Sequence, residues 1–514
     1  MSKKRSTNFN TSMNIISGIG VLIVNVGISF LLSPYIIRTI GVEANGFVNL
    51  ANNFVAYADI LVTALNAMAA RFITISYVNK DYKKANLYYN SVFWGNLIIV
   101  ATLLIPATVF ILKLDALVDV PSGIVTDVKV LFAIIFLSFF LRTGMPNWDC
   151  GPYISNRMDR SSFASIITSV LKCVILVCAF MLFAPHVWYV GFAMTFSGAV
   201  FLAMQWYNTH TLTPELKVSL KSPVCSFAVI KELVGSGIWS SFAIAGNTLM
   251  SGLDLLVCNK FLGATLMGVL AISKSIPNIL NTFTESIRGA FGPELTIAYA
   301  SGDKNGLLNA IERSLKISAV ISTIPTAGII IMSGDMYKLW IPSQDAHLLQ
   351  ILTALAVLRY VFSSGITNLN TVFVTVNKVK YNTVALVITG LVSIGTTVLM
   401  ILFTDLDLYA VAGVSSIVMI IKDLCFMVPV TSHFLGYKWY QFYPSVFTSV
   451  ISCVVICGVG AIVRWIIPVN SWIIFFLDVI IVAVIGLMVN MQIALNKSER
   501  AYLIGIFKRK ILKK

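Results

Sequence analysis

The sequence predicts an all-α polytopic membrane protein of about fourteen transmembrane helices, built as two six-helix lobes in parallel repeat plus two extra C-terminal helices. Three observations carry this. Of 514 residues, 57% are hydrophobic and only 11% are charged, with a mean hydropathy of +0.86. That composition excludes an ordinary soluble domain. Apolar runs long enough to cross a bilayer recur along the whole chain, without the period-2 alternation of a barrel strand. Finally, an offset of 222 residues superposes two polar stripes without a gap.

The first stripe lies in the segment 274–288. Lys274, Asn278, Asn281, Glu285 and Arg288 follow one another at spacings of 4, 3, 4 and 3, which stacks them on one face of a helix. The second runs through Asn49, Asn52, Asp59, Thr63 and Asn66. The offset maps Asn52, Asp59, Thr63 and Asn66 onto Lys274, Asn281, Glu285 and Arg288. It also pairs Gly41 with Gly263, Gly46 with Gly268, Asp81 with Asp303, Asn25 with Asn247 and Ser29 with Ser251. Self-similarity over such a range reads as an internal repeat.

In chain order the expected spans are 13–36, 47–75, 88–112, 128–148, 161–184, 187–208, 235–261, 266–297, 311–333, 347–376, 381–403, 409–432, 446–467 and 471–494. The longest connection, 209–234, carries Pro214 and Pro223 and separates the halves. The expected organisation is an N-terminal lobe over 1–215, a C-terminal lobe over 216–440, extra spans over 441–495 and a basic tail over 496–514. An even number of spans per half gives both repeats one orientation. The basic start leads straight into a full span, so the first helix reads as a signal anchor rather than a cleaved leader.

Charge distribution orients the chain. With a cytoplasmic N-terminus, 26 of the 37 Lys and Arg residues fall in cytoplasmic loops and tails, 6 on the opposite side and 5 within spans. That is the positive-inside pattern, with both termini cytoplasmic. It assigns the net charge of +15 to anionic lipid headgroups and not to nucleic acid. The tail KSERAYLIGIFKRKILKK reads as a surface-lying segment.

Chemistry of the usual enzymatic kinds is not signalled. There is no GxxxxGK[ST] loop, the four histidines are scattered, and the eight cysteines show no metal-binding spacing, so neither cofactor nor metal is expected. The signal lies in ionisable groups at membrane depth, which are expensive unless they face protein or water. Lys274, Arg288, Arg359 and Lys172 are candidates for holding an anionic group such as a pyrophosphate. Asp59, Asp254 and Glu285 are candidates for ion coupling. Asn25, Asn49, Asn52, Asn66, Asn247, Asn278 and Asn281 either bind sugar or tie helices together. The competing reading pairs the charges with each other: Glu285 with Arg288, Lys422 with Asp423, and Lys172 as a helix contact or a snorkelling chain. Pro277, inside the stripe, marks a candidate kink.

The opening FLLSPYIIRTIGVEANGFVNL, the segment RFITISYVNKDYKKAN, and their echoes KFLGATLMGVLAIS and GPELTIAYASGDKNG resemble the polysaccharide-transporter branch, including O-antigen flippases, of the multidrug/oligosaccharidyl-lipid/polysaccharide (MOP) exporter superfamily. The resemblance covers nearly the whole chain. It implies two lobes forming a V around a central cavity. It also implies alternating-access movement of undecaprenyl-pyrophosphate-linked oligosaccharide (O-antigen, capsule or exopolysaccharide repeat unit) across the bacterial cytoplasmic membrane, alongside polysaccharide assembly proteins. Lipid II flippases of this superfamily use several arginines on the first span; this chain has none there before Arg38. A cation-coupled multidrug or toxin antiporter is the alternative. A membrane polymerase or ligase is disfavoured by the short outer loops, so no enzyme activity is expected.

Overall fold

The computed structural model describes residues 2–219, 225–300, 302–376 and 378–494. The tail over 496–514, with Lys221 and Pro223 of the central linker, lies outside the described residues. Those that are described form helices, joined by short turns and containing no strand. Thirteen helices are long and apolar enough to cross a membrane: Gly20–Ile40, Val42–Val78, Tyr82–Leu112, Ser122–Gly144, Met158–Leu182, Trp188–Leu212, Phe227–Leu262, Lys304–Trp340, Ala346–Ser363, Val379–Phe403, Asp407–Leu435, Tyr443–Ile466 and Trp472–Ala494. The chain is a multi-pass membrane protein of all-helical fold. In hydrocarbon every backbone N–H and C=O must be satisfied within its own segment, which is why apolar runs of this length become helices.

The remaining expected span, 266–297, eighth in chain order, differs. It splits at Lys274 into helices Ala264–Ser273 and Ser275–Ala300. At ~1.5 Å per residue, the second is ~39 Å long, enough to cross a ~30 Å hydrocarbon core. Its stripe of amides and charges keeps it too polar to count with the other thirteen. Pro277 sits in its first turn, where a missing N–H costs nothing, so the interruption falls at Lys274 and not at the proline. A similar interruption at Ala67–Met68 divides Val42–Asn66 from Ala69–Val78.

The chain divides into two compact units. One comprises Met1–Thr248 and Leu255–Gly268, the other Leu249–Asp254 and Val269–Lys514. Segment 216–248, expected to open the second lobe, packs within the first unit. Its linker is pinned there: Asn86 Nδ2 donates to the Glu215 carbonyl at 2.8 Å and Asn90 Nδ2 to the Lys217 carbonyl at 2.9 Å. Ser241 Oγ donates to the Ile60 carbonyl at 2.7 Å. The apolar core around this junction contains Leu65, Ile73, Tyr88, Val92, Leu216 and Leu233. Within the second unit, helix Lys304–Trp340 is the spine. Ala327 and Met332 on it pack with Cys453, Ile456, Phe475 and Val482 of the two C-terminal spans.

Residues 222 apart adopt the same local structure. Gly41 and Gly263 both take positive φ, 90° and 92°, immediately before the helices starting at Val42 and Ala264. Only glycine holds that conformation cheaply. Asp81 and Asp303 both cap helix N-termini, accepting from the backbone N–H of Lys84 and of Asn305, each at 3.0 Å. The paired helix starts also touch each other inside the first unit. Thr265 Oγ1 donates to Glu43 at 2.5 Å, and a Cβ on Gly46 would lie 3.0 Å from the Gly268 Cα. A position that meets its own repeat mate is what a local two-fold relation between the two segments produces.

This contact has no room for a side chain. A Cβ on Gly268 would stand 2.5 Å from the Val42 carbonyl oxygen. We therefore expect Gly268→Val to destabilise the protein by ~1–3 kcal/mol, read as a lower Tm in detergent. Gly328→Ala, where a Cβ meets nothing within 4 Å, should leave Tm unchanged or raised. Equal Tm shifts for the two would contradict this packing.

Candidate functional site

The second unit gathers most of the expected charges. Lys274 occupies the break between helices Ala264–Ser273 and Ser275–Ala300. Asp254 is the first residue of helix Asp254–Leu262, just after a break at 252–253. The Lys274 Nζ lies 2.5 Å from Asp254 Oδ2, with side chains 17% and 9% exposed. Ser415, from helix Asp407–Lys422, faces the same carboxylate. Both charges sit where helix ends favour them, the acid at an N-terminus and the cation at a C-terminus. Two interrupted helices thus meet through a buried ion pair twenty residues apart in sequence. Lys274 accordingly leaves the helix that carries the rest of its expected stripe.

Helix Ser275–Ala300 keeps that stripe. Asn278, Asn281 and Glu285 are exposed and Arg288 is half-buried. Arg288 and Glu285 form an i,i+3 ion pair, the local alternative that their spacing suggested. Asn281 ties the stripe to helix Ala346–Ser363: its Oδ1 accepts from the Tyr360 hydroxyl at 2.8 Å and from Arg359 at 3.3 Å. The Arg359 guanidinium also donates to the Tyr360 oxygen at 2.5 Å and stands 4.6 Å from that ring's centroid. Glu285 and Asp423 both act on it electrostatically, yet no carboxylate among the described residues pairs with it within 4 Å. Asp423 is taken by Lys422 at 2.9 Å, both nearly fully buried at the π-helical turn Asp423–Met427. Four cations and three carboxylates therefore share this region, and Arg359 is the cation of the four that pairs with none of the three within 4 Å. Tyr360 and Ser415 were invisible to a search for charge and amide stripes.

The first unit holds the other candidates. Asn49, Asn52, Asp59, Thr63 and Asn66 lie half-buried on helix Val42–Asn66. Asn49 and Asn52 turn their amide N–H groups back onto the carbonyls of Asn45 and Val48, each at 2.9 Å. Asn66 donates to Asn96 at 2.8 Å, joining two helices. Asp59 faces Arg142 at 3.5 Å. Asn25 accepts from Ser169 at 2.6 Å and ties the first helix to helix Met158–Leu182. Lys172, half-buried on that helix, lines a cavity of about 310 Å³. Asn247 sits exposed on helix Phe227–Ser251. Sequence reading also passed over a group around the C-terminal spans: Arg464 binds Asp335 at 2.5 Å, while Asp478 is fully buried with neither carboxylate oxygen hydrogen-bonded.

No protein-family model matches the chain. The uncharacterised membrane protein EpsK of Bacillus subtilis (strain 168) is 25% identical over 464 residues, covering 90% of this chain and 91% of that protein. Among solved structures, an inward-facing multidrug resistance transporter of the MATE family, in the MOP superfamily, aligns with a TM-score of 0.67 at 16% identity, over 81% of this chain and 95% of its own. The lipid II flippase MurJ in an inward closed conformation aligns with a TM-score of 0.60 at 15% identity, over 97% of this chain and 99% of its own. The fold is the one these MOP-superfamily structures share.

Removing one member of the Asp254–Lys274 pair strands a buried charge. Lys274→Met should cost ~3–5 kcal/mol of stability, and the double variant Asp254→Leu with Lys274→Met should recover most of the loss. Thermal unfolding in detergent measures both. Additive losses in the double variant would show that the two side chains do not act as a pair.

Proposed function

We propose that the protein is a flippase that moves a lipid-linked oligosaccharide, carried on undecaprenyl pyrophosphate, across the bacterial cytoplasmic membrane by alternating access. One observation carries the reading. On a helix long enough to span the bilayer, the face bearing Asn278, Asn281 and Glu285 is left uncovered by the unit that contains it. Polar groups bare to hydrocarbon cost several kcal/mol each, so such a face belongs against water or a polar cargo. Beside it stands Arg359, a planar donor without its own carboxylate and suited to an acceptor-rich phosphate oxygen array.

The length of the match with MurJ supports the same reading. With 97% of this chain covered, that alignment reaches into the two C-terminal spans. The polar stripe supplies amides for sugar hydroxyls, and Arg359 on the neighbouring helix supplies the cation for phosphate. The positive-inside charge distribution favours a cytoplasmic location for both termini. The cargo would be delivered by, and handed to, polysaccharide assembly enzymes on the two sides of the membrane.

The MATE-type alternative, export of organic cations, calls for an unneutralised acid at membrane depth. Among the candidate coupling acids, Asp254 is occupied by Lys274, Glu285 by Arg288, and Asp59 faces Arg142; Asp478, the acid without a hydrogen-bond partner, is fully buried and presents no surface to a cargo. That arrangement favours anionic over cationic cargo.

The test is the leaflet distribution of lipid-linked oligosaccharide in cells depleted of the protein. Depletion should trap the glycolipid on the cytoplasmic leaflet, and wild type should clear it. Arg359→Ala removes charge-assisted hydrogen bonds worth ~1.5–3 kcal/mol, so clearance should fall about ten- to a hundredfold, with Arg359→Lys intermediate. An unchanged glycolipid distribution on depletion, together with increased sensitivity to cationic drugs, would assign the protein to drug export instead.

A further inference from the structure

We propose that the cavity in the first unit is a sugar-acid subsite: it holds a carboxylate-bearing sugar of the cargo, with Lys172 engaging the carboxylate. The proposal rests on the oligosaccharide reading above and narrows it to a glycan with an acidic residue. The cavity lies between helices Val125–Gly144, Met158–Leu182 and Trp188–Leu212, wholly within one unit. Its volume, about 310 Å³, is at the small end of the ~300–1,000 Å³ typical of ligand sites. It suits a sugar residue and not a whole lipid-linked repeat unit.

Lining chemistry identifies the ligand class. Ser165, Ser169 and Lys172 stand at spacings of 4 and 3, on one helix face. Ser169, Thr168, Thr195 and Ser197 each already donate their hydroxyl hydrogen. Ser169 gives it to Asn25 at 2.6 Å, Thr168 to the Ala164 carbonyl at 2.9 Å, Thr195 to the Gly191 carbonyl at 2.9 Å and Ser197 to the Ala193 carbonyl at 2.7 Å. Their oxygens therefore remain as acceptors. Among the described residues no carboxylate pairs with Lys172, and Arg142, whose nearest acid is Asp59 at 3.5 Å, adds a second cation at the rim. Phe201 supplies an apolar surface.

A phosphate, with at most one or two hydrogens to give, would leave most of these four acceptor oxygens without a donor. A neutral sugar would leave the Lys172 ammonium, at membrane depth, without a counter-charge. A sugar acid matches both features, with its hydroxyls donating to the serine and threonine oxygens and its carboxylate meeting Lys172.

The experiment is calorimetric titration of the full-length protein in lipid nanodiscs with glucuronate, glucose and inorganic phosphate. We expect glucuronate to bind wild type, with affinity at least tenfold above glucose and phosphate. Lys172→Gln should lose at least tenfold in glucuronate affinity at unchanged Tm, and Lys172→Arg should recover most of it. Three results would overturn the subsite: no glucuronate binding by wild type, equal binding by Lys172→Gln, or Lys172-dependent phosphate binding as tight as that of glucuronate. This assay needs no transport. Absence of glucuronate binding by wild type, with depletion still trapping the glycolipid, sinks the subsite alone; Lys172-dependent binding with no effect of depletion on the glycolipid sinks the flippase reading.

Discussion

The structure of the second unit depends on a salt bridge that hydrocarbon makes obligatory. Neither Asp254 nor Lys274 is affordable at membrane depth alone, and each sits at the interruption of a helix where backbone groups are also left without intrahelical partners. Bringing the two interruptions together neutralises both charges. Along the chain the two compact units divide at 248–249, 254–255 and 268–269. Interrupted helices at membrane depth are tolerated where they are buried in protein or line a polar space.

From that anchor the remaining charges are distributed by local pairing. Glu285 takes Arg288 on the next turn and Asp423 takes Lys422. Arg359 is held by a neutral partner, Tyr360, and by the Asn281 amide. A guanidinium oriented by an amide and a phenol keeps its charge for something else, whereas one locked to a carboxylate does not. The residues that hold Arg359 in place are thus as informative as the cation itself.

Much of this was legible in the chain. Membrane class followed from composition, and the 222-residue repeat anticipated paired features in the backbone: the positive-φ glycines Gly41 and Gly263 and the capping aspartates Asp81 and Asp303. What escaped was tertiary. Periodicity placed Lys274 on the stripe, because a helix break leaves no mark in spacing; its mark lay in residue type, with Ser273 and Ser275 flanking Lys274 and Pro277 opening the next helix. Asn49 and Asn52, read as binding sugar or tying helices together, each direct one amide N–H to the preceding turn of their own helix, a local bond that spacing does not reveal. Tyr360 carried no signal, since an aromatic in an apolar run is the common case. The long reach of Asp254 to Lys274 cannot be read from a one-dimensional pattern.

The Asp254–Lys274 pair joins the two helix interruptions, and exchanging its charges tests whether glycolipid movement needs it. Glycolipid clearance would be measured in depleted cells carrying Asp254→Lys, Lys274→Asp, or both. The account predicts that each single variant fails and that the exchanged pair restores clearance at least tenfold above either. Clearance by the single variants at the wild-type rate would contradict it.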